Sequence, residues 1–155
     1  MTTKSQTKKT DSLVVNTTTA KTLISYLSSK NLDSLSIQEH LNFDISDLDA
    51  PDSNLPLSVY KALWSLASNH TNDPYLGLRL AQNPYNNEMS LVSHVFFNSQ
   101  NLREGLKQYI RYYSLINESV TVQLKTREDK AIVSYHCIKP DYYCEKDIEH
   151  SLALS

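Results

Sequence analysis

Apolar residues return every third or fourth position through most of the chain, and every second position only after Ser119. The first rhythm belongs to helices with one buried face, the second to a strand. Ala20, Leu23, Ile24 and Leu27 fall at i, i+3, i+4 and i+7, which predicts an amphipathic helix capped by Thr18 or Thr19. Ser36 to Leu41 reads as a short second helix, with Glu39 three residues after Ser36. Asp44 to Leu55 is acidic and polar and reads as a connector. Pro56 and Ser58 open a strong helix that reaches about Asn69. Val59, Leu63, Leu66 and Ala67 form its core stripe, with Tyr60 and Trp64 alongside. Asp73 then caps a further helix, and Pro74 takes its first position, where a missing N–H costs nothing. That helix carries Leu76, Leu78, Leu80 and Ala81, and Asn83-Pro84 ends it.

Ser90 to Asn117 organises the rest. It reads as one helix, a tight break at Asn98-Ser99-Gln100-Asn101, and a second helix. Asn101 suits the N-cap, because its side-chain oxygen can accept from an unpaired N–H of the first turn. Glu104 stands where it can reach back to the cap. Leu102, Leu106, Tyr109, Ile110 and Tyr113 make one apolar face. The period then changes to two: Val120, Val122 and Leu124 line one side of a strand, and Thr121, Gln123 and Lys125 the other. Thr126 to Lys130 is a polar hairpin loop, and Ala131 to Ile138 the return strand. A final helix starts near Tyr142 with Cys144, Ile148 and Leu152 facing inward. The pattern predicts an α+β fold, a helical N-terminal half packed on an antiparallel hairpin or sheet. A lone hairpin is marginal in water, and the last helix is still in stride at Ser155. The expectation is therefore a chain cut before its sheet is complete. Residues 1–15 read as a disordered polar tail with Lys4, Lys8 and Lys9, and 16–155 as one domain.

Composition narrows the function more than the fold. The chain has 155 residues, a net charge of −2 and only two glycines. So few glycines argue against phosphate-cradling loops and a turn-rich all-β fold. The charge gives no overall pull toward nucleic acid or anionic membranes. No apolar run approaches the roughly 20 residues of a membrane span, and no secretory signal opens the chain. Cys137 and Cys144 are the only cysteines, too few for a disulfide framework or a zinc quartet, which suits the reducing cytoplasm. No cofactor or metal is expected.

The candidate chemistry is that of binding. His94, Phe96, Phe97, Tyr109, Tyr112 and Tyr113 could line an apolar pocket with polar tips, suited to a small organic ligand. The plainer reading is an aromatic core with its rims in water. Arg103, Lys107 and Arg111 share a stripe at i, i+4 and i+8, either a solvated face or a contact for a dimer or a neighbouring domain. His136 and Cys137 are strand neighbours and point to opposite faces, so they cannot pair as a catalytic dyad. Glu145, Asp147 and Glu149 read as a solvated helix face. Asp44, Asp47, Asp49 and Asp52 lack the glycine and closing glutamate of a calcium loop.

Several segments together resemble a known family. They are Leu55-Pro56-Leu57, Leu63-Trp64, Asn72-Asp73-Pro74-Tyr75-Leu76-Gly77-Leu78-Arg79-Leu80, Leu102-Arg103-Glu104-Gly105-Leu106 and Tyr109-Ile110-Arg111-Tyr112-Tyr113. In this order they are similar to the N-terminal, arabinose-binding-like sensor domain of AraC/XylS-type bacterial transcription regulators, over about Thr18 to Ser155. Where such domains often carry glycines around the next helix, this chain has Met89, Ser90 and Ser93. The resemblance implies a cytoplasmic domain that binds a small-molecule effector and forms a homodimer. It implies that DNA is bound only through a C-terminal helix-turn-helix domain absent from this sequence. It implies no membrane partner and no enzyme. Two alternatives stand beside it: a stand-alone ligand-binding or dimerisation module, and a cysteine-dependent enzyme using Cys137 or Cys144.

Overall fold

The computed structural model describes residues 13–50, 53–82, 91–138, 140 and 144–153. They fall into two compact units. The first comprises the described residues up to 82 together with 144–153, and the second those from 91 to 140. The expected tail lies mostly outside the described residues, as do the helix stop at Asn83-Pro84, the helix start near Tyr142, Asp52 and Ser155. The fold class is α+β, with a helical half and antiparallel strand pairs.

The first unit begins with a strand, β1 (Val14–Asn16), that leads directly into α1 (Thr17–Ser29). The cap of α1 is Asn16, not Thr18 or Thr19. Its Oδ1 accepts from the Thr18 backbone N–H and hydroxyl at 3.0 and 2.7 Å. Starting the helix earlier turns Thr17 and Thr22 inward beside Ala20, Leu23 and Leu27. Helix α2 (Ser34–Leu41) is capped by Asp33, whose carboxylate takes the Ser36 N–H at 2.9 Å. The connector is more structured than its polarity suggests. Asp44 caps a 3-10 turn at Ile45–Asp49, and β2 (Asn54–Pro56) then pairs antiparallel with β1, setting Val15 opposite Leu55. Thr17 Oγ1 and Ser53 Oγ meet at 3.0 Å beside this ribbon.

Helix α3 (Leu57–Thr71) presents Leu57, Tyr60, Leu63, Trp64 and Ala67 to the core. The stripe is rotated from the expected one: Val59 and Leu66 are only half-buried, and the two aromatics take the centre. Helix α4 (Leu76–Ala81) buries Leu76 and Leu80 and leaves Leu78 exposed. Asp73 accepts from the Tyr75 N–H and pairs with Arg79, which secures the start of α4. Leu23, Leu27, Ile37, Leu55, Leu63, Trp64, Leu76 and Leu80 make the fully buried centre. Each such apolar side chain contributes roughly 1.5–3 kcal/mol by leaving water. Left-handed backbone falls on Asn31, Asn42 and Asn72, two of which end α2 and α3. Asparagine tolerates that conformation, so the shortage of glycine does not prevent sharp helix stops. The unit closes with α7 (Glu145–Ala153).

The second unit holds α5 (Leu91–Phe97) and α6 (Leu102–Tyr112), a 3-10 turn at Tyr113–Leu115, and the hairpin β3 (Val120–Arg127) and β4 (Lys130–Cys137). Asn101 caps α6 as expected, its Oδ1 taking the Glu104 N–H at 3.0 Å, while the Glu104 carboxylate is engaged by Lys107 Nζ at 2.8 Å. Asn117 turns the chain into β3, its Oδ1 accepting from the buried Ser119 N–H and hydroxyl. The hairpin is tighter than the expected loop. Thr126 and Arg127 pair with Ala131 and Lys130, leaving only Glu128 and Asp129 in the turn. Glu128 adopts φ 55° there, as a two-residue hairpin turn requires.

Candidate functional site

Helices α5 and α6 approach closely because residue 105 has no side chain. A Cβ on Gly105 would lie 3.1 Å from the Phe96 carbonyl oxygen and 3.2 Å from the Phe96 ring. That approach lets the Phe96 ring meet Tyr109, one turn along α6. A continuous run of edge-to-face rings results: Phe97 to Phe96 at 5.2 Å, Phe96 to Tyr109 at 6.1 Å, Tyr109 to Tyr113 at 5.3 Å, and Tyr113 to Tyr135 of β4 at 5.7 Å. Edge-to-face geometry sets the positive edge of one ring against the negative face of the next. The hydroxyls of Tyr109 and Tyr135 stand 3.4 Å apart, so the polar tips converge as well as the rings. Tyr113 is buried and Phe97 is 62% exposed, so the run passes from interior to surface.

Of the expected ligand residues, the structure joins Phe97, Tyr109 and Tyr113. It does not join His94 or Tyr112. His94 is exposed, and its carbonyl takes the Asn98 side-chain amide at 2.8 Å. Tyr112 turns aside and lies under the Arg111 guanidinium, 5.3 Å from ring centre to charge. Tyr135 is the member that sequence reading missed. Its signal was the alternation of β4: the register sets Tyr135 opposite buried Val122, hence on the inward face. The stripe of Arg103, Lys107 and Arg111 is exposed along α6, with Lys107 held by Glu104 and Arg111 by Tyr112.

The first unit contains a polar cluster that the sequence disguised. Asp147 does not belong to a solvated face. Its Oδ1 accepts from Tyr60 Oη at 2.5 Å, a bond between residues 87 positions apart. Burial lifts the Asp147 carboxyl to about 6, partly offset by the Tyr60 bond. Burial and the neighbouring Asp147 charge push the Tyr60 phenol well above its ordinary value. His150, one turn further on, is 2% exposed and stands edge-on to Trp64 at 6.1 Å. Burial pulls its imidazole down to about 4, and its Nε2 has no hydrogen-bond partner among the described residues. The inward side of α7 thus includes Asp147 and His150 along with the expected Cys144, while Ile148 is only half-buried. Leu152 is half exposed.

These groups do not make catalytic machinery for a cysteine. Burial pushes the Cys144 thiol up to about 11, the opposite of what a nucleophilic thiolate needs. Among the described residues no three His, Cys, Asp or Glu side chains cluster to hold a metal ion. No helix of the described residues is long and apolar enough to cross a membrane.

The family model for the arabinose-binding domain of AraC transcription regulators, N-terminal, matches residues 32–154. No curated relative matches the chain. The matched family is a ligand-binding family of regulators and not an enzyme family. Its span takes in α2 to α7, and so both the ring cluster and the buried Tyr60–Asp147 pair. The chain belongs to the family of N-terminal arabinose-binding domains of AraC transcription regulators, and is a sensing domain of a transcription regulator.

Proposed function

We propose that the second unit binds a small organic effector at the Phe96–Tyr109–Tyr113–Tyr135 cluster, and that the domain dimerises in the bacterial cytoplasm. The convergence of the Tyr109 and Tyr135 hydroxyls on a run of apolar rings carries this reading. Flat rings favour a ligand with apolar faces, and the two hydroxyls favour one with a polar group to pair. No carboxylate or cation belongs to the run, which favours a neutral ligand over an ion. The exposed face of α6, with Leu102, Arg103, Lys107 and Arg111, is the assigned contact for a second copy or a neighbouring domain. DNA contact is assigned to a helix-turn-helix domain separate from the residues described. The effector acts by population shift, binding one arrangement of the regulator more tightly than another.

A panel of small neutral aromatic and sugar-like compounds, screened by thermal shift, tests the site. A compound that stabilises the native chain and loses its effect in Tyr109→Ala and Tyr135→Ala, but not in His94→Ala, supports it. Equal loss in His94→Ala, or retention in both tyrosine variants, refutes it. Sedimentation of the native chain and of Arg103→Glu/Lys107→Glu tests the dimer contact: the expected result is a dimer that the double variant dissociates.

A further inference from the structure

The ring cluster of the second unit is built from few kinds of group, and that narrows what it can hold. The run from Phe97 to Tyr135 consists of aromatic rings, and the polar atoms that converge in it are the Tyr109 and Tyr135 hydroxyls. These stand 3.4 Å apart, against about 2.7–2.8 Å for a good O–H···O bond, so the contact is weak and readily exchanged for a better one. Among the described residues it is the only hydrogen bond of the Tyr135 hydroxyl. Phe96, Tyr109 and Tyr135 are half-buried, so a solute can reach part of each ring.

A phenol donates a hydrogen bond more readily than it accepts one, because its lone pair is drawn into the ring. Converging phenols therefore suit an acceptor, and a carbonyl oxygen offers two lone pairs. Each tyrosine also sets ring and hydroxyl in line. A molecule lying along Tyr109 and Tyr135 needs a flat apolar body with its oxygen at one end. A sugar does not meet that description. It carries hydroxyls on every side, and those set against Phe96 or the tyrosine rings would lose water without gaining a partner. An anionic ligand fails for a related reason, since the run contains no cation to offset its desolvation.

We propose that the effector is a neutral aryl carbonyl compound, a ketone, aldehyde or ester on a flat ring, an inference that rests on the cluster being the effector site. Its oxygen accepts a hydrogen bond from Tyr135 Oη beside the Tyr109 hydroxyl, in place of the long contact between the two. Its ring extends the edge-to-face run beside Phe96 and Tyr109. Tyr135 then decides specificity. The ring surface comes from α5 and α6, whereas Tyr135 comes from β4, so the helices place the body of the ligand and the hairpin places its oxygen.

Acetophenone, ethylbenzene and arabinose, titrated separately into the full native chain and into Tyr135→Phe, test the assignment, with tyrosine ring signals followed by nuclear magnetic resonance. Ethylbenzene keeps the ring and lacks the oxygen. The expected result is that Tyr135→Phe weakens acetophenone about tenfold and leaves ethylbenzene no weaker than before. The same change for both compounds, with the Tyr109 and Tyr113 rings still moving, overturns the carbonyl assignment and leaves the effector site standing. Arabinose moving those rings at lower concentration than acetophenone overturns the ligand class. If no compound moves them, the effector site itself fails, and the assignment with it. If Tyr135→Phe does not fold, the carbonyl carbon signal of acetophenone bound to the native chain decides. It stays near its value in water if the oxygen is hydrogen-bonded, and a move to its value in hydrocarbon overturns the assignment.

Discussion

The chain's two glycines stand at two helix crossings, one in each unit, and the crossings differ in what they assemble. At Gly105 the close approach brings rings together: Phe96 meets Tyr109, and the run continues to Tyr113 and Tyr135. At Gly77 it brings backbones together, α4 against α7, while Asp147 and His150 of α7 are buried by Tyr60 and Trp64. The first assembly contains no ionisable group other than phenols, and its hydroxyls face one another. The second contains a carboxyl and an imidazole whose proton affinities are moved in opposite directions from their ordinary order. Aromatic residues thus serve two ends: a neutral surface that suits a ligand, and a polar joint that fastens a helix.

That contrast breaks most sharply at the hydroxyls. Tyr60→Phe leaves Asp147 buried without its donor, so at pH 7.5 it should cost about 2–4 kcal/mol in urea unfolding. The cost should shrink at pH 5, where the carboxyl takes up a proton. Tyr109→Phe removes one of two hydroxyls that are 3.4 Å apart near the surface, and should cost less than about 0.5 kcal/mol at either pH. Equal costs would mean that the two assemblies are energetically alike.

The glycines themselves give the next effect. Gly77→Ala drives a methyl into the Lys146 carbonyl, which is backbone and cannot turn aside, and should destabilise by roughly 1–3 kcal/mol. Gly105→Ala meets the Phe96 ring at 3.2 Å, which can tilt, although the Phe96 carbonyl at 3.1 Å cannot. Helix propensity returns nearly 1 kcal/mol, so the net should fall near zero. Thermal unfolding of the two variants side by side checks the order.

A smaller and more diagnostic effect is in pH. Asp147 binds its proton more tightly folded than unfolded, so its contribution is full below about pH 4 and lost as pH rises through about 6. His150 binds its proton more weakly folded, so its contribution is full above about pH 6.5 and lost as pH falls toward about 4. The two slopes oppose. Asp147→Asn should therefore be destabilised by acid across that window, and His150→Phe stabilised by it, relative to a nearly flat parent. Midpoints in urea at pH 4.5, 5.5 and 6.5 measure this, and parallel profiles in all three proteins would remove the compensation.

What could be read in advance was local. The Asn101 cap and the alternation of β3 depend on neighbours within a turn or a strand, and they stand in the structure, whereas the apolar face expected of α6 holds only in part, with Leu102 68% exposed and Leu106, Tyr109 and Ile110 half-buried. Errors came where the partner was distant. The Asn16 cap lies two or three residues upstream of those expected, and the Asp33 cap three, because several side chains with an acceptor oxygen compete at each start. The ribbon of β1 and β2 went unseen, because strands of three residues have no period to detect. Asp147 reads as solvated because it stands between charged neighbours on α7, and only α3 supplies the phenol that takes it inward. In the ring cluster, Tyr109 and Tyr113 were legible from helical spacing. Tyr135 required the hairpin register, and His94 and Tyr112 turned away for reasons that lie in their own turns.

The most direct measurement is a nuclear magnetic resonance titration of the native chain with a compound that stabilises it, following tyrosine ring signals and the single tryptophan indole. The expected result is movement of the Tyr109, Tyr113 and Tyr135 rings with the Trp64 indole unchanged. Movement of the Trp64 indole with those rings unchanged would contradict the assignment of the effector to the second unit.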